Sequence, residues 1–436
     1  MITVESIVNE RNLLSACQQV MRNGGAPGID GMRAEDLYSY LVKEWQFLQS
    51  TVRSGMYRPE AVRRVEIPKS SGGTRELGIP TVIDRMLQQS IAQELGKYYD
   101  GEFSATSYGF RKGRNAHDAL EQAVTYLNDG LTYIVEIDLE KFFDRVNHDR
   151  LMSRLSKRIE DKEVLRLIRR YLTCGVMENG VKRASTEGTP QGGPLSPVLS
   201  NIVLDELDKE LEKRGLRFVR YADHISIFVG SHRAAERVLS GVCQWIEDRL
   251  KLRVNKDKSG IRRPSSGQLL GFGFWHGKGG EIRPRISGKS YTRLKYKIRR
   301  VTSRSWSMSM GERIAKLSQI TRGWINYFGH ADAKGQLRRI EEWTQARLRM
   351  CIWKQWKRVR TRIRSLRKLG VSQQKSYEWG NTRKGYWRTA HSPILQTTLT
   401  CKRLKQKGYV PITEMYTFRR ETLMNRRDTR PVRPVV

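Results

Sequence analysis

Acidic residues are scarce in this sequence. Across 436 residues, 45 Asp and Glu stand against 81 Lys and Arg, a formal net charge of +36. An excess of that size repels itself in a folded chain unless a polyanion offsets it. Nucleic acid is the polyanion to expect, because each phosphate neutralised releases counterions. Paired cysteines are also lacking. Cys17, Cys174, Cys243, Cys351 and Cys401 stand far apart with no Cys-x-x-Cys, which excludes a zinc ribbon and a disulfide framework alike. The seven histidines are scattered without metal-ligand spacing, so any metal should be a hard cation held by carboxylates. No run of about 18 apolar residues exists to span a bilayer. The start, MITVESIVNERN, has no signal-peptide core. These absences point to a soluble cytoplasmic protein with no membrane partner.

No repeat or low-complexity tract interrupts the chain. Residues 1–60 read as helices around a glycine-rich turn at 23–31. Residues 61–130 contain a short strand, a turn at Ser70-Ser71-Gly72-Gly73 and a helix from about Asp84. Residues 131–280 alternate β-rich runs with charged helices, which predicts an α+β fold. From about 285 acids thin out while Arg, Lys and Trp accumulate. Ser309-Met310-Gly311-Glu312 is a capping-box pattern, and Ile314, Leu317, Ile320, Trp324 and Tyr327/Phe328 follow at helical spacing. Ten basic residues and no acid lie between Arg347 and Lys368.

Two acids stand out. Tyr133–Asp138 is a β-rich run ending in a carboxylate, in which Ile134, Glu136 and Asp138 share one face. Phe218–Val229 reads as two short strands around a tight turn with Asp223 at its tip. Alone, each acid is equally readable as a turn or cap residue. Brought together at strand ends, two acids can hold paired Mg²⁺ ions for nucleotidyl transfer. Between them lies Gly188-Thr189-Pro190-Gln191-Gly192-Gly193-Pro194-Leu195-Ser196-Pro197, a loop whose glycines let backbone approach a substrate closely.

The ordered set resembles the reverse transcriptases encoded within bacterial group II introns. It runs through Gly28–Gly31, Ile67-Pro68-Lys69 with Arg75, Leu77–Pro80, Tyr108-Gly109-Phe110-Arg111, Ile137-Asp138 with Phe142-Phe143-Asp144, Pro190–Gly193, Tyr221-Ala222-Asp223 and Leu270-Gly271-Phe272. Arg322-Gly323-Trp324-Ile325-Asn326-Tyr327-Phe328 is similar to the maturase region of the same family. No Cys/His endonuclease segment follows, which resembles the compact class C subgroup. The resemblance implies a right-hand polymerase with α+β fingers and palm, a helical thumb and a small basic C-terminal DNA-binding region. It divides the chain into an N-terminal extension (1–60), fingers and palm (61–284), thumb/X domain (285–370) and DNA-binding region (371–436).

Residue roles come from the same resemblance. Asp138 and Asp223 match the Mg²⁺-binding acids, with the Ile137 carbonyl as a further ligand. Phe143 matches the steric gate against a ribose 2′-hydroxyl. Lys69 and Arg75 match residues that bind the incoming deoxynucleoside triphosphate, and Gln191 one that lies against nucleotide or template base. Lys258 is a candidate for protonating pyrophosphate, or else a solvated surface lysine. Arg111, Arg347, Arg349, Lys354, Lys357, Arg358 and Arg360 are candidates for RNA contacts, whereas Trp353 and Trp356 read as core. The implied partners are the parent intron RNA, an RNA template with DNA primer, and target DNA. One position departs from the family's Tyr-Ala-Asp-Asp: His224 follows Asp223. Loss of that carboxylate implies weaker metal binding and slower polymerisation. It leaves open a splicing maturase that polymerises poorly. A retron-like or defence-associated reverse transcriptase is the other alternative.

Overall fold

The computed structural model describes residues 1–68, 73–178, 181–183, 187–189 and 191–428, with side chains through 425. The chain forms two compact units, 1–263 and 264–436. The expected boundary at 284/285 lies inside the second.

The first unit begins with helices α1 (Val4–Val8), α2 (Glu10–Asn23) and α3 (Leu37–Arg53). Asn9 caps α2 by accepting from the Arg11 N–H at 3.0 Å. The glycine-rich turn after α2 is seated by Arg85, which donates to the carbonyls of Gly24 and Ala26. A Cβ on Gly28 would strike the Thr81 backbone at 2.6 Å, so close packing explains that glycine. Strand β1 (Val62–Pro68) pairs antiparallel with β2 (Thr74–Ile79). The sequence predicts one strand and a turn at Ser70–Gly73 here; positions 70–72 of the expected turn lie outside the described residues, and a second strand is present. Its alternation is weak, with three exposed residues followed by three half-buried ones. Helices α4 (Val82–Tyr99) and α5 (Ala116–Asn128) follow.

Strand β3 (Tyr133–Asp138) leads to α6 (His148–Ser156), α7 (Lys162–Thr173) and the short pair β4 (Val176–Glu178) and β5 (Val181–Arg183). In α7, Val164, Leu167, Ile168, Tyr171 and Leu172 are buried at three- and four-residue spacing. Then come α8 (Ser196–Lys213), β6 (Arg217–Tyr221), β7 (His224–Val229), α9 (His232–Trp245) and β8 (Gly260–Arg262). The sheet that carries the two acids has the order β6-β7-β3-β8. Its central strand β7 is largely apolar and covered on both faces, with five of its six residues buried.

The second unit opens with a three-stranded sheet, β9 (Gln268–Leu269), β10 (Phe272–His276) and β11 (Ile282–Ile286). Helices α10 (Gly288–Val301), α11 (Met310–Phe328), α12 (Lys334–Gln355) and α13 (Val359–Lys368) follow. The expected capping box at Ser309 and Glu312 starts α11. Trp324, Tyr327 and Phe328 cluster with Phe272 at centroid separations of 4.5 to 5.5 Å, and the Tyr327 hydroxyl donates to the Leu270 carbonyl at 2.9 Å. The aromatic part of the maturase-like motif therefore packs on Leu270-Gly271-Phe272. Short helices α14 (Gln373–Gly380), α15 (Tyr386–Ala390), α16 (Pro393–Thr398) and α17 (Cys401–Gln406) precede α18 (Ile412–Asp428). Among the described residues, no helix is long and apolar enough to cross a membrane.

Candidate active site

The register of the central sheet juxtaposes the acids. β3 runs antiparallel to β7 with Asp138 directly opposite His224, and β6 pairs Tyr221 with His224. The two-residue turn between them is Ala222-Asp223. Ala222 has φ +56°, a left-handed conformation that costs a non-glycine residue about 1–2 kcal/mol. The surroundings enforce it. Arg220, fully buried, donates to both carboxylate oxygens of Asp208 at 2.7 and 2.5 Å, to Asn201 Oδ1 at 2.9 Å and to the Ala222 carbonyl at 3.2 Å. Asn201 in turn donates to the Gly109 carbonyl. A Cβ on Gly109 would fall 3.0 Å from the Tyr221 carbonyl carbon, so only glycine lets that segment lie against the turn. Burial pushes the Asp208 carboxyl up, and the guanidinium opposes it by charge and two hydrogen bonds.

Burial likewise raises the Asp223 carboxyl, and the nearby charge of Asp138 raises it further. A backbone hydrogen bond and the His224 and Arg75 charges pull the other way. Asp138 is anchored from the opposite side. Its N–H donates to Ser259 Oγ at 3.0 Å, and its carbonyl accepts from the Asn255 N–H at 2.8 Å. The Lys258 ammonium sits 3.1 Å from Asp138 Oδ1, so a cation already fits against this carboxylate. Among the described residues, no three His, Cys, Asp or Glu side chains converge as a ready-made metal cluster.

The nucleotide-binding candidates form a chain beside this sheet. Arg75 Nε donates to Gln191 Oε1 at 2.7 Å, and Gln191 Nε2 donates to Asp144 Oδ1 at 3.0 Å. The Gln191 carbonyl accepts from the Gly78 N–H at 2.7 Å. Gly192 has φ +124°, and a Cβ there would lie 2.5 Å from the Gly78 carbonyl oxygen. The loop's other end is tied down by the His148 ring, 2.6 Å from the Gly188 carbonyl, and by the Thr189 N–H, which donates to the Phe143 carbonyl. Phe143 is half-buried, its ring 5.3 Å from that of buried Phe142. Lys69 and Pro190 lie outside the described residues. The sequence reading missed Asn201, Asp208, Arg220 and His148. A charged residue in the middle of an apolar strand was the available signal for Arg220.

The basic candidates divide. Arg111 is buried and donates to the Asp100 carboxylate at 2.7 Å and to carbonyls of Asp100, Ser104 and Ser107. Arg347 donates to Thr302 Oγ1 and to the Arg299 and Thr302 carbonyls, and Arg349 to the Leu399 carbonyl and Gln345. The guanidinium groups of all three satisfy backbone oxygens that local folding leaves open. Lys354 is half-buried, and its ammonium lies 5.0 Å from the Tyr386 ring centroid. Lys357, Arg358 and Arg360 are exposed. Trp353 is buried beneath Arg362, whose guanidinium is 4.8 Å from its ring, and Trp356 is half-buried beside it.

Comparison with known proteins agrees with this geometry. The family model for reverse transcriptase (RNA-dependent DNA polymerase) matches residues 67–274. The model for the group II intron maturase-specific domain matches residues 291–370. Protein YkfC of Escherichia coli (strain K12) is 33% identical over 298 residues, covering 59% of this chain and 78% of its own length. The putative COX1/OXI3 intron 2 protein of Saccharomyces cerevisiae is 31% identical over 293 residues, covering 54% of this chain and 34% of its own. The group II intron-encoded protein LtrA of Lactococcus lactis subsp. cremoris is 34% identical over 206 residues, covering 47% and 34%. The aligned part thus spans about a third of either intron-encoded relative.

Proposed function

The chain belongs to the family of group II intron-encoded reverse transcriptases and maturases, and from that premise we propose that it binds its parent intron RNA, promotes splicing and copies that RNA into cDNA during retromobility. Nucleic-acid binding and a requirement for divalent metal go with the two domains; Mg²⁺, the intron RNA, the primer and the target DNA are the particular partners proposed. The observation that carries the reading is the sheet register that puts Asp138 opposite His224, the residue next to Asp223 at the β6–β7 turn, with an ammonium already on Asp138.

Divalent ions held there would activate the primer 3′-hydroxyl and neutralise the leaving pyrophosphate. Asp138 and Asp223 would supply oxygen ligands to them, with the Ile137 carbonyl as a further one. Arg75 swings from Gln191 to the triphosphate, where charge develops on phosphate oxygens. Gln191 then turns to the nucleotide or template base. Phe143 excludes a ribose 2′-hydroxyl. Lys258, released from Asp138, gives a proton to pyrophosphate. Residues 61–284 act as fingers and palm, 285–370 as thumb, and 371–436 as the DNA-binding region, with Lys357, Arg358 and Arg360 on RNA. The setting is cytoplasmic.

A second reading is favoured by one feature. His224 stands directly opposite Asp138, where a carboxylate would strengthen the metal site. This reading keeps RNA binding and splicing but slows polymerisation. The maturase-specific match at 291–370 favours either over a retron-like enzyme. Primer extension on a long RNA template with Mg²⁺ tests them, with the protein run beside His224→Asp and with Asp223→Ala as the blank. Long cDNA from the protein itself supports the copying enzyme. Extension restored only by His224→Asp supports the maturase. No extension by either overturns the assignment of the two acids.

A further inference from the structure

The second unit holds a small cavity, about 280 Å³ in volume, beside the loop that joins α10 to α11 and the last turn of α12. Arg304, Trp306, Ser309, Arg313, Lys354 and Gln355 are among its lining residues, none of which is acidic. Two of its cations converge on one ring: the Arg304 guanidinium lies 5.4 Å and the Lys354 ammonium 5.0 Å from the Tyr386 centroid. An aromatic face attracts each cation but carries no net charge to neutralise both. Tyr386 cannot move away readily, because it packs on the cluster of Met350, Cys351 and Ala390.

A third cation is built into the wall. Arg313 is only 2% exposed. Its terminal nitrogens donate to the carbonyls of Val301, Ser303 and Trp306, which holds the loop in place. Its buried Nε has no hydrogen-bond partner among the described residues. The neighbouring acid, Glu312, is occupied by the capping box with Ser309. At the rim, Trp306 is 44% exposed, with the Arg300 guanidinium 6.0 Å from its ring. Cations with no acid among the cavity's lining residues, next to an exposed indole, match a phosphate and its adjoining base. The volume lies just below the roughly 300–1,000 Å³ of ordinary ligand pockets. It has room for part of one nucleotide and none for a helix.

We propose that this cavity is a subsite for single-stranded nucleic acid, seating one phosphate between Arg304 and Lys354 with its base stacked on Trp306. It rests on the nucleic-acid-binding function proposed above and adds a place where one unpaired nucleotide is held. It differs from the exposed Lys357, Arg358 and Arg360, which can track a backbone without reading an unstacked base.

The test uses the full chain labelled with 5-fluorotryptophan, the Trp306 resonance being assigned by Trp306→Phe. The probes are AMP, inorganic phosphate, a 12-mer of oligo(U) and a 12-mer of oligo(dT), and oligonucleotide binding is followed separately by anisotropy. The Trp306 signal should shift with AMP, and inorganic phosphate should compete. The Arg304→Gln/Lys354→Gln double variant should weaken the AMP response at least tenfold with an unchanged melting curve. It should also lower the salt slope for the oligonucleotide by about 0.7 for each phosphate no longer neutralised. A response to oligo(U) alone assigns the site to RNA, to oligo(dT) alone to DNA, and to both to the shared phosphate and base. If oligonucleotide binds while the Trp306 signal stays fixed, the subsite is wrong and the proposed function stands. If neither oligonucleotide nor intron RNA binds, both fall.

Discussion

Replacing His224 by Asp puts a carboxylate directly opposite Asp138, where cross-strand Cβ atoms lie about 5 Å apart. At about 5 Å a unit charge and a divalent cation attract by roughly 1.7 kcal/mol in water and about 6.6 kcal/mol at an effective dielectric of 20. His224 is half-buried, so the lower part of that range applies, about 2 kcal/mol or roughly 30-fold in metal affinity. Repulsion of the new charge by Asp138 is present with and without metal. It leaves the affinity gain intact but destabilises the metal-free protein by about 1 kcal/mol. His224→Asp should therefore lower the Mg²⁺ midpoint for primer extension by 10- to 100-fold. It should also melt earlier than the parent without metal and gain more from added Mg²⁺. A midpoint and a melting curve both unmoved would refute the placement of residue 224 at the metal site.

Other perturbations follow from the same geometry. Asp223 has a raised carboxyl, so its proton stabilises the metal-free fold fully below the ordinary Asp value of about 3.9, and that contribution is lost as pH rises through the raised folded value. Metal binding needs the ionised form, so Mn²⁺ affinity read by electron paramagnetic resonance should fall as pH is lowered, with a midpoint above the ordinary value. Asp223→Asn should remove that midpoint. Asp208→Asn strands the buried Arg220 charge and should cost about 3–5 kcal/mol, read by denaturant unfolding; a loss under 1 kcal/mol would show that Arg220 does not depend on the pair. Arg347→Ala should lower stability by about 1–3 kcal/mol, since its part-buried hydrogen bonds to Thr302 are lost. Arg358→Gln/Arg360→Gln should leave stability unchanged and reduce the salt slope of RNA binding instead. The opposite pattern would reverse the two assignments.

Much of the site was legible in the chain. Tyr133–Asp138 and Phe218–Val229 are apolar runs of strand length, and a two-residue gap between strands leaves only a tight turn for Asp223. Period-two alternation put Ile134, Glu136 and Asp138 on one face; Glu136 and Asp138 are half-buried there, while Ile134 is buried, as are Val135 and Ile137 on the other face. The helix behind Ser309 was legible for the same reason: a capping box and a 3.6-residue stripe are local patterns, and local patterns are written along the sequence. The excess of positive charge pointed to nucleic acid without any structure.

The remainder depended on which residues meet across the fold. Arg111 and Arg347 carry the same charge as Arg358, and nothing adjacent in sequence says that the first two satisfy carbonyls while the third faces solvent. Arg220, Asp208 and Asn201 come from a strand and a helix that become neighbours only in the packed unit, and together they hold the Ala222 conformation. The pairing of Tyr386 with both Arg304 and Lys354 joins three helical or loop segments separated by tens of residues. Spacing along a chain sets which side chains share a strand or helix face. Whether a charge there is buried, paired or free to meet a phosphate is decided by the groups that folding brings against it, and that is a property of the tertiary structure.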